Sequence, residues 1–199
     1  MTTDGRSDRG DRTRLALLDA SMALIAEGGV AAATQRSVAA SAEASLASTT
    51  YHFGTRAGLL EATLEHAAQL AIDEIEGLRA EVLSRRIDLV TACIGYIERQ
   101  RTGQSFTAAV VFELALAAAR MPSLRDANEG FLAALRALFA PFTASNDGVA
   151  VAESFYGVLL VELSRGDNGP SPDLARTIST IFDSYGITEA IERFESENA

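Results

Sequence analysis

Apolar residues in this chain recur at intervals of three and four from near one end to the other, and no segment alternates apolar with polar. Leu15, Leu18, Met22 and Ile25 form the first stripe. Leu60, Leu64, Ala67, Ala71, Ile75, Leu78 and Val82 form a longer one. This spacing follows the 3.6-residue turn of an α-helix and not the two-residue period of a strand. Alanine is abundant and only four prolines interrupt the 199 residues, so little opposes helix formation. The expected fold class is all-α, with nine to ten helices.

Punctuation sets the helix boundaries. Asp11 is a candidate N-cap and Gly28-Gly29 a stop for the first helix. Thr34 caps a short helix around Gln35–Ala42, and Ser45 caps another from about Leu46 to His52. Thr55 then caps the long helix. Ile87, Val90, Ile94 and Ile97 mark the next, and Phe106, Val110, Leu114 and Ala117 its successor, stopped near Pro122. Phe131, Leu135, Leu138 and Phe142 mark a helix ending around Pro141. Helices bearing Phe155 and Ile178 flank the loop GDNGPSP, and a short last helix holds Ile187, Ile191 and Phe194.

Several function classes are poorly supported. Cys93 is the only cysteine, which rules out an internal disulfide, and its apolar neighbours make it a small core residue. His52 and His66 fall in different helices and neither follows a Glu by three positions, so a di-iron bundle pattern is absent. There is no glycine-rich phosphate loop and no Gly-x-Ser-x-Gly elbow. No cofactor, metal or enzymatic chemistry is expected. The polar N-terminus has no signal-peptide core, and the apolar stretch Ala108–Ala119 is broken by Glu113 and too short to span a bilayer. The expectation is a soluble, cytoplasmic protein. The net charge of −10 sits wholly behind residue 56, because the first 56 residues hold six Arg and six acidic residues. A neutral, Arg-bearing head before an acidic body fits a protein that presents one face to DNA.

The stretch Thr34–Leu60, TQRSVAASAEASLASTTYHFGTRAGLL, carries the most information. Two short capped helices separated by a tight turn are the anatomy of a helix-turn-helix, although two core-packing helices of a bundle produce the same pattern. Gly28-Gly29, Thr34, Val38-Ala39, Ser45, the run Tyr51-His52-Phe53 and Thr55-Arg56 together resemble the tetracycline-repressor (TetR) family of regulators. The resemblance covers about residues 12–65. It implies a three-helix helix-turn-helix head over residues 1–55 and a helical ligand-binding and dimerisation bundle over 56–199. It also implies a homodimer on double-stranded operator DNA, acting as a repressor released from a palindromic operator by a small-molecule effector. On the same grounds Thr34, Arg36, Tyr51, His52 and Arg56 map to phosphate contacts, and Ser45, Leu46, Ser48 and Thr49 to base-facing positions. Two residues depart from the family pattern. Glu43 stands at the turn position usually held by Gly, where a left-handed backbone costs about 1 kcal/mol. Thr50 stands where a Tyr is usual, with Tyr51 beside it.

Arg9, Arg12 and Arg14 are either flanking phosphate contacts or solvated charges. In the body, Tyr96, Arg99, Phe106, Val110, Glu113, Phe131 and Phe155 are candidates to line an effector pocket, with plain core as the alternative for the aromatics. Glu113 either orients a ligand or pairs with Arg99 or Arg136. The rival overall reading is a helical-bundle small-molecule-binding or enzymatic protein that does not touch DNA.

Overall fold

The computed structural model describes residues 4–105, 107–143, 147–166, 169 and 171–197. Among these, ten α-helices follow one another: α1 (Asp4–Gly28), α2 (Gln35–Ser41), α3 (Leu46–Phe53), α4 (Arg56–Leu83), α5 (Leu89–Arg101), α6 (Thr107–Ala118), α7 (Arg125–Phe139), α8 (Asp147–Ser164), α9 (Leu174–Ser184) and α10 (Ile187–Glu197). Short 3₁₀ turns at Pro122–Leu124 and Ala140–Phe142 hold Pro122 and Pro141, which an α-helix interior would reject. The all-α class is as the periodicity implies. The one large boundary difference is α1, which begins at Asp4 and not after Asp11. No proline stands in the way there.

The caps are chemically explicit. Thr34 Oγ1 accepts from the Ser37 N–H at 3.0 Å while the Thr34 N–H donates to Ser37 Oγ at 2.9 Å, a reciprocal capping box. Ser45 Oγ accepts from the Ser48 N–H at 3.1 Å, and Thr55 Oγ1 from the Gly58 N–H at 3.1 Å. Asp88 caps α5 through the Thr91 N–H at 2.8 Å. Its partial burial works against the carboxylate, but the hydrogen bonds from Thr91 prevail and hold its pKa below the ordinary value.

The chain forms two compact units. The first comprises residues 1–70 and 109–128. Its core joins Leu17, Met22 and Ile25 of α1 and Val38 of α2 to Leu59, Leu64 and Ala67 of α4. Val110, Leu114 and Ala118 of α6 complete it. Compactness therefore extends past residue 55 and recruits most of α6. Thr63 and Ser21, both fully buried, share a hydroxyl–hydroxyl hydrogen bond of 2.9 Å that satisfies the polar atoms between α1 and α4.

The second unit comprises residues 71–108 and 129–199. α5 packs on α8 and α9, and α9 on α10. Phe139 sits edge-on to Phe155 (5.6 Å between centroids) and to Phe182 (6.0 Å), and Tyr96 lies 6.3 Å from Phe155. These aromatics are buried and form the core of this unit. At one side of α5 the Glu74 carboxylate accepts from Gln100 Nε2 (2.8 Å), Ser105 Oγ (2.8 Å) and Thr107 Oγ1 (3.0 Å). Gln100 and Thr107 are themselves buried, so this network satisfies polar groups that burial would otherwise penalise. No helix among the described residues is long and apolar enough to cross a membrane.

Candidate nucleic-acid interface

The turn between α2 and α3 decides how the two helices meet. The Ala44 N–H donates to the Ala39 carbonyl at 2.9 Å and the Glu43 N–H to that of Ala40 at 3.3 Å. Glu43 has φ 51°, the left-handed conformation. This is a Schellman ending of α2, with a glutamate where glycine fits without steric cost. Val38 and Ala39 of α2 are buried beneath the turn. Gln35 Nε2 donates to the Gly54 carbonyl at 3.0 Å, tying the start of α2 to the end of α3.

With α3 held this way, one of its faces is buried and the other open. Thr49 is fully buried, and its hydroxyl lies 3.4 Å from the Ser45 carbonyl and 3.5 Å from that of Gln35. Leu46 is 46% exposed and Tyr51 85%, with Ser45, Ala47 and Thr50 exposed beside them. Thr49 therefore does not face bases, which corrects the expectation for that residue. Phe53, read as core, already marked the face: the residue four positions earlier on a helix shares it. Ala47 and Thr50 are the outward residues that the sequence reading missed, and they follow from the same spacing.

The other positions are placed as follows. Thr34 and Arg36 are exposed at the start of α2. His52 is half-buried, edge-on to Tyr51 at 5.1 Å and 6.0 Å from Phe53. Arg56 is exposed, yet its Nη2 donates to the Val30 carbonyl at 2.8 Å and its Nε to that of Ala33 at 3.2 Å. Those bonds bind the first turn of α4 to the loop after α1, a structural duty that the sequence reading did not assign. Arg9 and Thr13 of α1, the cap residue Ser45, and Ser48, Tyr51 and His52 of α3 line a concavity of about 380 Å³. Arg14 stacks over Phe53, 5.6 Å from its centroid.

The candidate effector residues are divided between the two units. Tyr96, Phe131 and Phe155 are packed core of the second unit, and Val110 is packed core of the first. Helical spacing reports which side is buried, not whether space is left there. Arg99 is exposed, its guanidinium 6.0 Å from the Tyr96 ring centroid. Phe106 lies outside the described residues. Glu113 is half-buried in the first unit, with Oε1 against Gly29. Among the described residues it makes no ion pair, and Arg136 bonds Glu129 at 2.6 Å. The expected pairing is thus replaced by one between residues two turns apart on α7. Clefts of the second unit open elsewhere, one of about 440 Å³ between Val82, Leu89, Phe142 and Phe194. Burial pushes the Tyr156 hydroxyl up to about 12 and raises the Cys93 thiol, as suits a core cysteine. No cluster of three or more potential metal ligands occurs among the described residues.

The geometry defines a helix-turn-helix head and a larger helical bundle. Residues 17–63 match the family model for bacterial regulatory proteins of the tetR family. Solved structures share the fold. A TetR-family member from Streptomyces coelicolor is 25% identical, covering 85% of this chain and 97% of its own with a TM-score of 0.68. A transcriptional regulator from a Rhodococcus species is 20% identical, covering 86% and 95% with a TM-score of 0.68. The multidrug binding protein EbrR, in complex with ethidium, is 25% identical, covering 85% and 98% with a TM-score of 0.64. No curated protein matches the chain significantly. Residues 17–63 thus carry the helix-turn-helix of the tetR family of bacterial regulatory proteins, and the chain as a whole is similar in fold to solved regulators of that family.

Proposed function

We propose that this protein is a cytoplasmic transcriptional repressor that binds a palindromic operator as a homodimer and leaves it when a small molecule binds. The observation that carries the reading is the exposed face of α3, held outward by the Schellman turn and the buried Thr49. Residues 1–55 serve as the DNA-reading part and 56–199 as the effector and dimer part. Thr34, Arg36, Tyr51, His52 and Arg56 meet phosphates, while Ser45, Leu46 and Ser48 face the groove. The head is neutral within a chain of net charge −10, which keeps repulsion from the phosphate backbone away from the contact face.

Dimerisation is supported by α8, which exposes Val149 (44%), Leu160 (50%) and Val161 (58%). Exposed apolar residues of this kind on each of two copies can be buried when the copies pair into a helical bundle. Effector binding is supported by likeness to a protein described as multidrug-binding and solved with ethidium. Coupling has a covalent path: Arg56–Leu70 of α4 belong to the head unit and Ala71–Leu83 to the other. A ligand that favours one tilt of such a helix changes the spacing of two heads, which must match half-sites about 34–36 Å apart.

Selection of bound duplexes from a random pool tests the reading. The expected product is an inverted repeat. Failure to retain any duplex would favour a helical bundle that does not bind DNA.

A further inference from the structure

The recognition face is notable for what its polar groups already do. Thr50 Oγ1 donates to the Leu46 carbonyl at 3.2 Å. Ser45 and Ser48 hydroxyls bond each other at 2.8 Å, so one of their two hydrogens is spent there. The buried Thr49 hydroxyl is turned toward carbonyls of its own unit. From Ser45 to Phe53 there is no Arg, Lys, Asn or Gln. Bidentate donors for guanine O6 and N7, and the amide pair for adenine, are therefore missing from this helix. The apolar groups that α3 leaves exposed are the Leu46 side chain, the Ala47 methyl and Thr50, whose hydroxyl is already bonded to the Leu46 carbonyl, with Tyr51 exposed beside them.

We infer that α3 selects its operator by apolar contact with thymine C5-methyl groups, through Leu46, Ala47 and Thr50. The inference rests on the DNA-binding reading above and adds to it the chemistry of the recognised base. The thymine methyl is the one apolar mark on the major-groove edge of the four bases, and cytosine in the same place lacks it. Leu46 and Thr50 lie one turn apart on the helix, with Ala47 between them, so they reach adjacent base pairs of one half-site. Tyr51, 85% exposed, shares the open face and lines the groove beside Arg9, where its hydroxyl is within the reach of a phosphate. Its bond is to the backbone and supplies no sequence information.

The test uses the full chain and a duplex selected from a random pool. Each thymine of the half-site is replaced in turn by deoxyuridine, which removes only the methyl. At contacted positions affinity should fall about fourfold per methyl, the transfer cost of one such group. Thr50→Ser keeps the hydroxyl bond to Leu46 and removes only the side-chain methyl. It should bind the thymine duplex about fourfold more weakly and become indifferent to uracil at its own position. Leu46→Ala should do the same at a neighbouring one. Full affinity for uracil at every position, or selected half-sites without thymine at the contacted pairs, would overturn this inference alone. Retention of no duplex at all would overturn the DNA-binding reading with it.

Discussion

The Arg56 guanidinium donates to the carbonyl oxygen of Val30 at 2.8 Å, and this bond joins the start of the long α4 to the loop that leads into the helix-turn-helix. A second bond, from Nε to the Ala33 carbonyl, lies beside the Thr34 cap. Arg56→Ala is therefore expected to destabilise the head by about 1–2 kcal/mol, the range for hydrogen bonds to a charged group at a wet site. Urea denaturation measures it. Arg56→Lys should recover only part, because a single ammonium does not bridge two carbonyls as a planar fork does. Unchanged stability in Arg56→Ala would leave the residue free for phosphate alone.

Glu43 holds a left-handed backbone that glycine adopts without penalty. Glu43→Gly should raise stability by up to about 1 kcal/mol, since the strain relieved exceeds the entropy that glycine costs only modestly. It also removes a negative charge from the turn between α2 and α3. Glu43→Gln separates the effects: it should tighten DNA binding at low salt and leave the melting temperature nearly unchanged.

These residues show where sequence was sufficient. The caps Thr34, Ser45 and Thr55 are read directly because their hydroxyls act on a neighbour three residues away. The place of Glu43 in the turn was legible through the family resemblance, but its left-handed φ is seen only in the structure. Arg56 was harder, because its partners are backbone carbonyls 26 and 23 positions earlier, which carry no side-chain signature. Tyr96, Phe131 and Phe155 illustrate a second limit. An apolar stripe specifies burial, but the difference between a packed core and a cavity lies in how facing side chains interlock. Val110 illustrates a third: the stripe of α6 does not say which unit it completes.

Thr49 offers a clean check of the face assigned to α3. Thr49→Val preserves shape and removes a hydroxyl whose bonds are long, at 3.4 and 3.5 Å. Stability should change by less than about 1 kcal/mol, and base preference in a binding-site selection should not change at all. A shifted preference would mean that the side chain reaches the groove.

The exposed apolar residues of α8 predict the oligomeric state. Replacing Leu160 and Val161 by Arg places two charges where a second copy would bury them, which costs several kcal/mol per unpaired ion. Sedimentation should then report a monomer, with helical content by circular dichroism unchanged. The variant should also lose operator binding, because one head alone contacts only a half-site. A dimer that survives both substitutions would place the interface elsewhere.

The central claim is that the outward face of α3, presented twice by a dimer, grips a palindromic duplex. It is tested most directly by titrating the selected duplex, and a copy with one half-site scrambled, at two salt concentrations. The account predicts two chains per intact duplex and a large loss of affinity on scrambling either half. It also predicts affinity that falls linearly in the logarithm of salt concentration as phosphate counterions are released. Equal binding to the intact and scrambled duplexes, or binding indifferent to salt, would contradict it.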